Sequence, residues 1–311
     1  MKSPSRLSNT YAPFLLAGKF DTRCRISILT RPCLIGPAKK SVHVTSDQMS
    51  NYLERRVDPE RVYSIGASIT LYERSATEHE ITIEIIKHFR VRDFQKSQTV
   101  LAKLQRGTLG IEATSLHEQS VVVAKFYDSR YAEIEAQHIP TAQSCRWSMD
   151  NEIHAYDTLK EYQGVLVPVF YGEFTFTSNE VIIPVLIISY INYRMLAEYY
   201  PFNFTTVEVD RIVACLEDVV KKFHEKGVYH RDLELHNVLY NRETAELMVI
   251  DFGRSVSAGY RGAITEGRFK DVLKESERQD LAMIQVANSE LRSIEGGTIE
   301  SRTSLWPAVQ N

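Results

Sequence analysis

The sequence predicts an α+β fold in which strands and one helix precede a long helix and a short hairpin. Three observations predict it. Ile81-Thr82-Ile83-Glu84-Ile85 alternates apolar and polar side chains at the period of a half-buried strand. Ile212, Val213, Leu216, Val219, Val220 and Phe223 recur at three- and four-residue steps, so they line one face of a helix. Val238-Leu239-Tyr240 and Leu247-Met248-Val249-Ile250 flank a polar turn from Asn241 to Glu246, as the strands of a hairpin do.

Taken in order, Met1 to Thr77 holds brief apolar alternations broken by Pro, Gly and Ser, and none of it carries recognisable chemistry. After the strand at Ile81 comes a second, Val100 to Leu104, which runs into Gly107-Thr108-Leu109-Gly110. The third strand, Val121 to Phe126, is apolar and β-branched and carries Lys125 near its end. A helix is predicted from Asn151 to Tyr162, stopped by Gly164. Strands over Val169 to Phe176 and Val185 to Ile191 follow, joined by a turn at Ser178-Asn179. The amphipathic helix then runs from Val207 to Lys226. Lys221, Lys222 and Lys226 suit the negative end of its dipole, and Gly227 supplies the C-cap. These elements divide the chain into an extension (1–78), a strand-rich part (79–191), a smaller helical part (192–290) and a tail (291–311).

Composition narrows the function. With 37 basic and 40 acidic side chains the net charge is −3, and a pI near 6.3 gives no overall positive field for sequence-independent binding of nucleic acid. The longest apolar runs, such as Val181 to Ile188, contain Pro184 and are too short for a membrane span. Cys24, Cys33, Cys145 and Cys215 form no CxxC pair and read as reduced thiols of a cytoplasmic or nuclear protein. The first forty residues hold eight basic side chains against Asp21 alone, a bias shared with organelle transit peptides. Their apolar clusters, Phe14-Leu15-Leu16 and Ile26-Ser27-Ile28-Leu29, read as short strands rather than as one amphipathic helix.

The chemistry sits around the hairpin. Before it stands His230-Arg231-Asp232-Leu233-Glu234-Leu235-His236-Asn237, and after it Asp251-Phe252-Gly253. Asp232 and Asn237 bracket a tight loop, and Asp251 leaves the strand paired with Val238 to Tyr240, so the three side chains converge on one cleft. An amide oxygen and a carboxylate are hard ligands suited to Mg²⁺, and Asp232 is free to accept a proton from an attacking hydroxyl. The cleft reads as acidic.

At this point the sequence resembles the protein kinase family, whose H-R-D-L-x-x-x-N and D-F-G signatures are both complete and lie 251 − 232 = 19 positions apart. Val122-Val123-Ala124-Lys125 is similar to the family's V-A-I-K strand, and Glu152 to the glutamate that pairs with that lysine. The resemblance implies a bilobal kinase-like fold, with a β-rich N-terminal lobe and a reduced, mainly helical C-terminal lobe. It implies ATP and Mg²⁺ as cofactors, Lys125 on the α- and β-phosphates, Asp232 as catalytic base, and Asn237 and Asp251 as metal ligands. Ser189, Tyr190 and Ile191 resemble the hinge that receives adenine. Gly107 and Gly110 match the last two glycines of the phosphate-covering loop.

The pattern also departs from the family. Gln105 stands at the loop's first glycine position and Glu112 replaces its valine. Lys125 and Glu152 are 27 positions apart, which brings Glu133 and Glu135 into competition as the partner. Glu234 occupies the position where serine/threonine kinases usually carry a lysine directed at the transferred phosphate. Only 311 − 253 = 58 residues follow Gly253, with no A-P-E motif, which leaves no room for an activation segment together with the large helices of a full C-terminal lobe. Arg231 is a candidate to bind a phosphorylated Ser255, Ser257, Tyr260 or Thr265. His154, His224 and His236 read as surface residues, and Trp147 and Trp306 as packing residues. The expected activity is transfer of the ATP γ-phosphate to a hydroxyl of an unknown substrate, as in a protein Ser/Thr kinase. The alternatives are a small-molecule kinase of the aminoglycoside or choline type, and a pseudokinase interaction module.

Overall fold

The computed structural model describes residues 58–74, 80–92, 95–107, 109, 116, 118–132, 141–200, 203–259 and 266–292. The basic first forty residues, Gly110, Glu112, Glu133, Glu135, Tyr260, Thr265, Trp306 and the tail from 293 lie outside them. Six strands close into a barrel: β1 (Ser68–Glu73), β2 (Glu80–Arg90), β3 (Gln98–Arg106), β4 (Val121–Phe126), β5 (Phe170–Ser178) and β6 (Val181–Ser189), in the spatial order β1-β2-β3-β4-β6-β5. Alternation writes the pairing: Ile81, Ile83 and Ile85 of β2, Val100, Ala102 and Leu104 of β3, and Val122 and Ala124 of β4 point inward and are fully buried. The β5–β6 hairpin turns at Asn179 and Glu180, whose φ values of 50° and 65° fit the strand twist.

The strand-rich lobe begins well before residue 79. A short helix, α1 (Pro59–Val62), delivers Tyr63 to the barrel core, where it is fully buried and donates a hydrogen bond to Asp128 Oδ2 at 2.7 Å. Asp128 is charged and buried, and Arg130 Nη2 balances it at 2.7 Å. β1 then pairs with both β2 and β5 and closes the barrel. Part of the segment read as an extension is therefore structural, and its glycine- and serine-broken alternation hid a strand of only six residues.

Helix α2 (Thr141–Thr158) packs on the barrel and starts ten residues before the predicted Asn151. Its inward positions include Ser144 and Glu152, both buried, so polarity interrupts the stripe that would have marked its start. The chain leaves β6 through a single linker, residues 190–193, and enters the second lobe at β7 (Arg194–Met195). There α3 (Thr206–Glu225) begins with a capping box, Thr205 and Glu208 each bonding the other's backbone N–H. It buries Val209, Ile212, Leu216, Val219, Val220 and Phe223, each worth roughly 1.5–3 kcal/mol of gross hydrophobic stabilisation.

Two small sheets hold the loops beside α3: β7 with the hairpin β9 (Val238–Asn241) and β10 (Glu246–Val249), and β8 (Val228–Tyr229) with β11 (Val256–Ser257). A 27-residue helix, α4 (Glu266–Arg292), packs across α3. It fits because only twelve residues, 254–265, separate Gly253 from Glu266, and it runs past the expected boundary at 290. The architecture is thus α+β and two-lobed, with a reduced second lobe. Among the described residues no helix is long and apolar enough to cross a membrane.

Gly107 ends β3 at φ +89°, and a Cβ there would lie 2.8 Å from Glu80 O and 2.9 Å from Ile81 Cγ2. Gly107→Ala should lower the unfolding free energy by about 1–3 kcal/mol. Urea titration checks it, and an unchanged midpoint would contradict the structural role.

Candidate active site

Register places the first functional side chain. Arg90 of β2 is opposite Thr99 of β3, and Thr99 is opposite Lys125 of β4, so the three lie side by side at one end of the barrel. Lys125 is 5% exposed, and its ammonium reaches Glu152 Oε1 and Oε2 at 2.8 and 2.6 Å and Asp251 Oδ1 at 2.9 Å. Tyr127 donates its hydroxyl to the same glutamate. Burial works against the charge of Lys125, but the carboxylates of Asp251 and Glu152 outweigh it and its pKa is raised. The phenol of Tyr127 is pushed well above its ordinary value by burial and by Glu152.

Asp251 is the joint between the lobes. It sits at φ 68°, ψ 65°, in the left-handed region, which turns the chain sharply out of β10. Phe252 is then fully buried, with its ring 5.5 Å from Tyr156, 5.7 Å from Phe223 and 4.8 Å from His230. Burial opposes ionisation of Asp251, yet Lys125 and then Arg90 hold its carboxyl far below the ordinary range. Arg90 Nη1 lies 3.2 Å from Asp251 Oδ2, so both carboxylate oxygens have a cationic partner.

The loop before the hairpin is held from below. Asp280 of α4 is 1% exposed and accepts from His230 N at 2.8 Å and Arg231 N at 2.6 Å. His224 Nε2 lies 3.0 Å from the same carboxylate, so His224 is a half-hidden structural residue, not the surface residue expected. Gln279 donates to Arg231 O at 2.7 Å, and Arg231 takes φ 64°. On the loop, Asn237 donates through Nδ2 to Asp232 O at 2.8 Å. Asp232 Oδ1 meets Arg254 Nη1 at 3.1 Å, and Glu234 turns to His236, Nδ1 to Oε2 at 3.4 Å.

The structure therefore brings Lys125, Glu152 and Asp251 into direct contact and sets Asp232 against Asn237. Ser189 ends β6 just before the linker, with its backbone N–H donating to Val169 O at 2.8 Å and its hydroxyl accepting from Val169 N at 2.9 Å. Tyr190 stacks on Phe89, centroids 6.3 Å apart, and Ile191 follows half-buried.

Gly107 is a correction. It lies 107 − 99 = 8 residues along β3 from Thr99, roughly 26 Å away at 3.3 Å per residue, at the far end of the barrel. The β2–β3 connection at the Thr99 end of the barrel, residues 91–97, contains no glycine. Gln98 staples it, accepting from Arg92 N at 2.7 Å and donating to Arg92 O at 2.9 Å. The glycine spacing at 105–110 misled because a strand-end turn needs glycine for steric reasons of its own. Ser255 and Ser257 are 1% and 3% exposed, which removes them as accessible phosphorylation partners of Arg231. Arg90, Arg254 and Asp280 were missed. Arg254 alone had a signal, its place directly after Gly253.

The family model described as protein kinase domain matches residues 106–269, just over half of the chain, and it starts at the end of β3, beyond the glycine-free segment. The probable serine/threonine-protein kinase fnkB of Dictyostelium discoideum is 40% identical over 75 residues, 23% of this chain and 14% of that protein. The chain thus spans only a small part of that relative's length. The structure of the PK-1 kinase of Cydia pomonella granulovirus aligns at TM-score 0.43 and 16% identity, over 71% of this chain and 72% of that one.

Lys125→Met should cost about 3–5 kcal/mol at neutral pH, because it leaves Glu152 buried without its cation. Adding Glu152→Gln should recover part of the loss in urea titrations, whereas additive losses would contradict the pairing. The depressed carboxyl of Asp251 contributes stability at every pH above about 4. That contribution is lost only as the pH falls through its lowered folded value, so acid unfolding curves of wild type and Lys125→Met should converge in strong acid.

Proposed function

We propose, since the chain belongs to the protein kinase family, that it transfers the γ-phosphoryl group of ATP to a hydroxyl group with Mg²⁺ as the assisting ion. The observation that carries this is the Lys125–Glu152–Asp251 contact with Asp232 and Asn237 beside it. A lysine fixed by two carboxylates is a rigid point charge for phosphate oxygens. Asp232 is placed to take the hydroxyl proton as the new O–P bond forms and the bond from phosphorus to ADP breaks.

The donor set fits Mg²⁺. Asn237 commits its NH₂ to Asp232, which leaves its carbonyl oxygen as the ligand atom, and Asp251 is ionised. One carboxylate and one amide, without a cluster of three or more His, Cys, Asp or Glu among the described residues, suit an ion that keeps water and phosphate oxygens as its other ligands. When bound, it would neutralise phosphate charge. Because Arg90 holds Asp251 Oδ2, metal binding at that oxygen requires the guanidinium to yield.

The acceptor is read first as a protein serine or threonine hydroxyl, in line with the serine/threonine kinase likeness. The twelve-residue connection from Gly253 to α4 favours a second reading, a small hydroxyl compound, because so short a segment offers little platform for a peptide. ATP-dependent phosphate incorporation into a protein mixture and into aminoglycoside and choline pools separates the two.

Asp232→Asn should lower phosphotransfer by about 10²–10⁴-fold and leave the rise in melting temperature with ATP and Mg²⁺ intact. An Asp232→Asn protein as active as wild type would sink the assignment, and absence of any nucleotide-induced shift in wild type would favour a non-catalytic module.

A further inference from the structure

The turn after Asp251 shows what it holds and what it releases. Phe252 is locked in the aromatic cluster, a Cβ on Gly253 would stand 2.5 Å from Ser148 Oγ, and Ser255 is buried with its hydroxyl donating to Asn151 O at 3.3 Å. Arg254 alone of these four is exposed, its side chain 70% accessible, and it meets Asp232 Oδ1 at 3.1 Å. A guanidinium carries five N–H donors, and this contact engages one terminal nitrogen.

Charge around Asp232 makes the placement matter. A phosphoryl group in transit spreads negative charge over its equatorial oxygens, and here it must pass beside a carboxylate. Lys125 and Arg90 are committed to Asp251. Glu234, two residues after Asp232, has the wrong sign and is drawn to His236.

We propose that Arg254 is a catalytic residue that stabilises the phosphoryl group during transfer, its guanidinium bridging Asp232 and the equatorial oxygens. The proposal rests on the phosphotransferase reading. As the acceptor O–P bond forms and the bond from phosphorus to the bridging oxygen breaks, the acceptor proton goes to Asp232 and ADP leaves. Arg254 is anchored at one nitrogen to the base and donates from the others to the moving group. The same contact fixes the rotamer of Asp232, so proton acceptor and charge stabiliser move as one unit.

The test uses the full chain and two readouts. In the first, ATP turnover with water as acceptor is measured for wild type, Arg254→Ala, Arg254→Lys and the double variant Arg254→Ala/Glu234→Lys. Arg254→Ala should lower kcat by about 100-fold with a much smaller, several-fold rise in KM for ATP and the melting temperature unchanged. A lysine at either position should restore at least a tenth of the loss, because it returns a cation to the same carboxylate. Unchanged turnover in Arg254→Ala would overturn the proposal, and faster turnover would overturn it in favour of an inhibitory latch. A KM-only effect would overturn it too.

In the second, calorimetry compares Mg·AMP-PNP with Mg·ADP. Wild type should prefer the nucleotide with the third phosphate by several-fold, and Arg254→Ala should lose that preference. Wild type that binds AMP-PNP without turning over ATP defeats the phosphotransferase reading, and the affinity ratio then decides Arg254 alone. An equal ratio in wild type and Arg254→Ala overturns the role of Arg254 whatever the activity.

Discussion

A lysine ammonium that is 5% exposed survives as a cation only because carboxylates surround it. Lys125 meets Glu152, 27 residues away on a helix, and Asp251, 126 residues away beyond the second lobe's hairpin. One ion cluster therefore fastens the barrel, α2 and the turn that starts with Asp251. The left-handed conformation of Asp251 places Phe252 among Tyr156, Phe223 and His230. Electrostatics above and aromatic packing below thus fix the same turn, and the lobes meet in one arrangement.

From that turn the rest of the cleft follows. Read from sequence, the cleft holds carboxylates that lack counter-charges. In the folded chain each has one: Lys125 and Arg90 on Asp251, Arg254 on Asp232. The amide of Gln98 ties the start of β3 to Arg92 in both directions. Asp280 supports the loop from α4 with three donors on one carboxylate. This explains how twelve residues suffice between Gly253 and α4: the helix that braces the loop follows at once.

What was legible in the sequence was what local pattern controls. β2, β3, β4, α3 and the hairpin alternate or repeat cleanly, and the two signature segments flank the hairpin. Other elements were obscured where polar residues face inward. α2 buries Ser144 and Glu152, and α4 buries Ser276 and Asp280 among Phe269, Ile284, Ala287 and Leu291, so their apolar stripes are broken by the very residues that make ion pairs and hydrogen bonds. The position of Gly107 shows the converse error. A glycine demanded by a 2.8 Å approach to Glu80 O carries the same letter as one demanded by a phosphate, and only strand order tells them apart. Arg90 had no signal, because its meaning comes from a register across three strands.

The most direct measurement of the central claim is a double-mutant cycle between Lys125→Met and Asp251→Asn, read by calorimetric titration of Mg·AMP-PNP. If the two side chains form one unit that builds the nucleotide site, the single variants and the double variant should lose affinity to similar extents, with a coupling energy above about 1 kcal/mol. Losses that simply add would show two independent residues and would contradict the account.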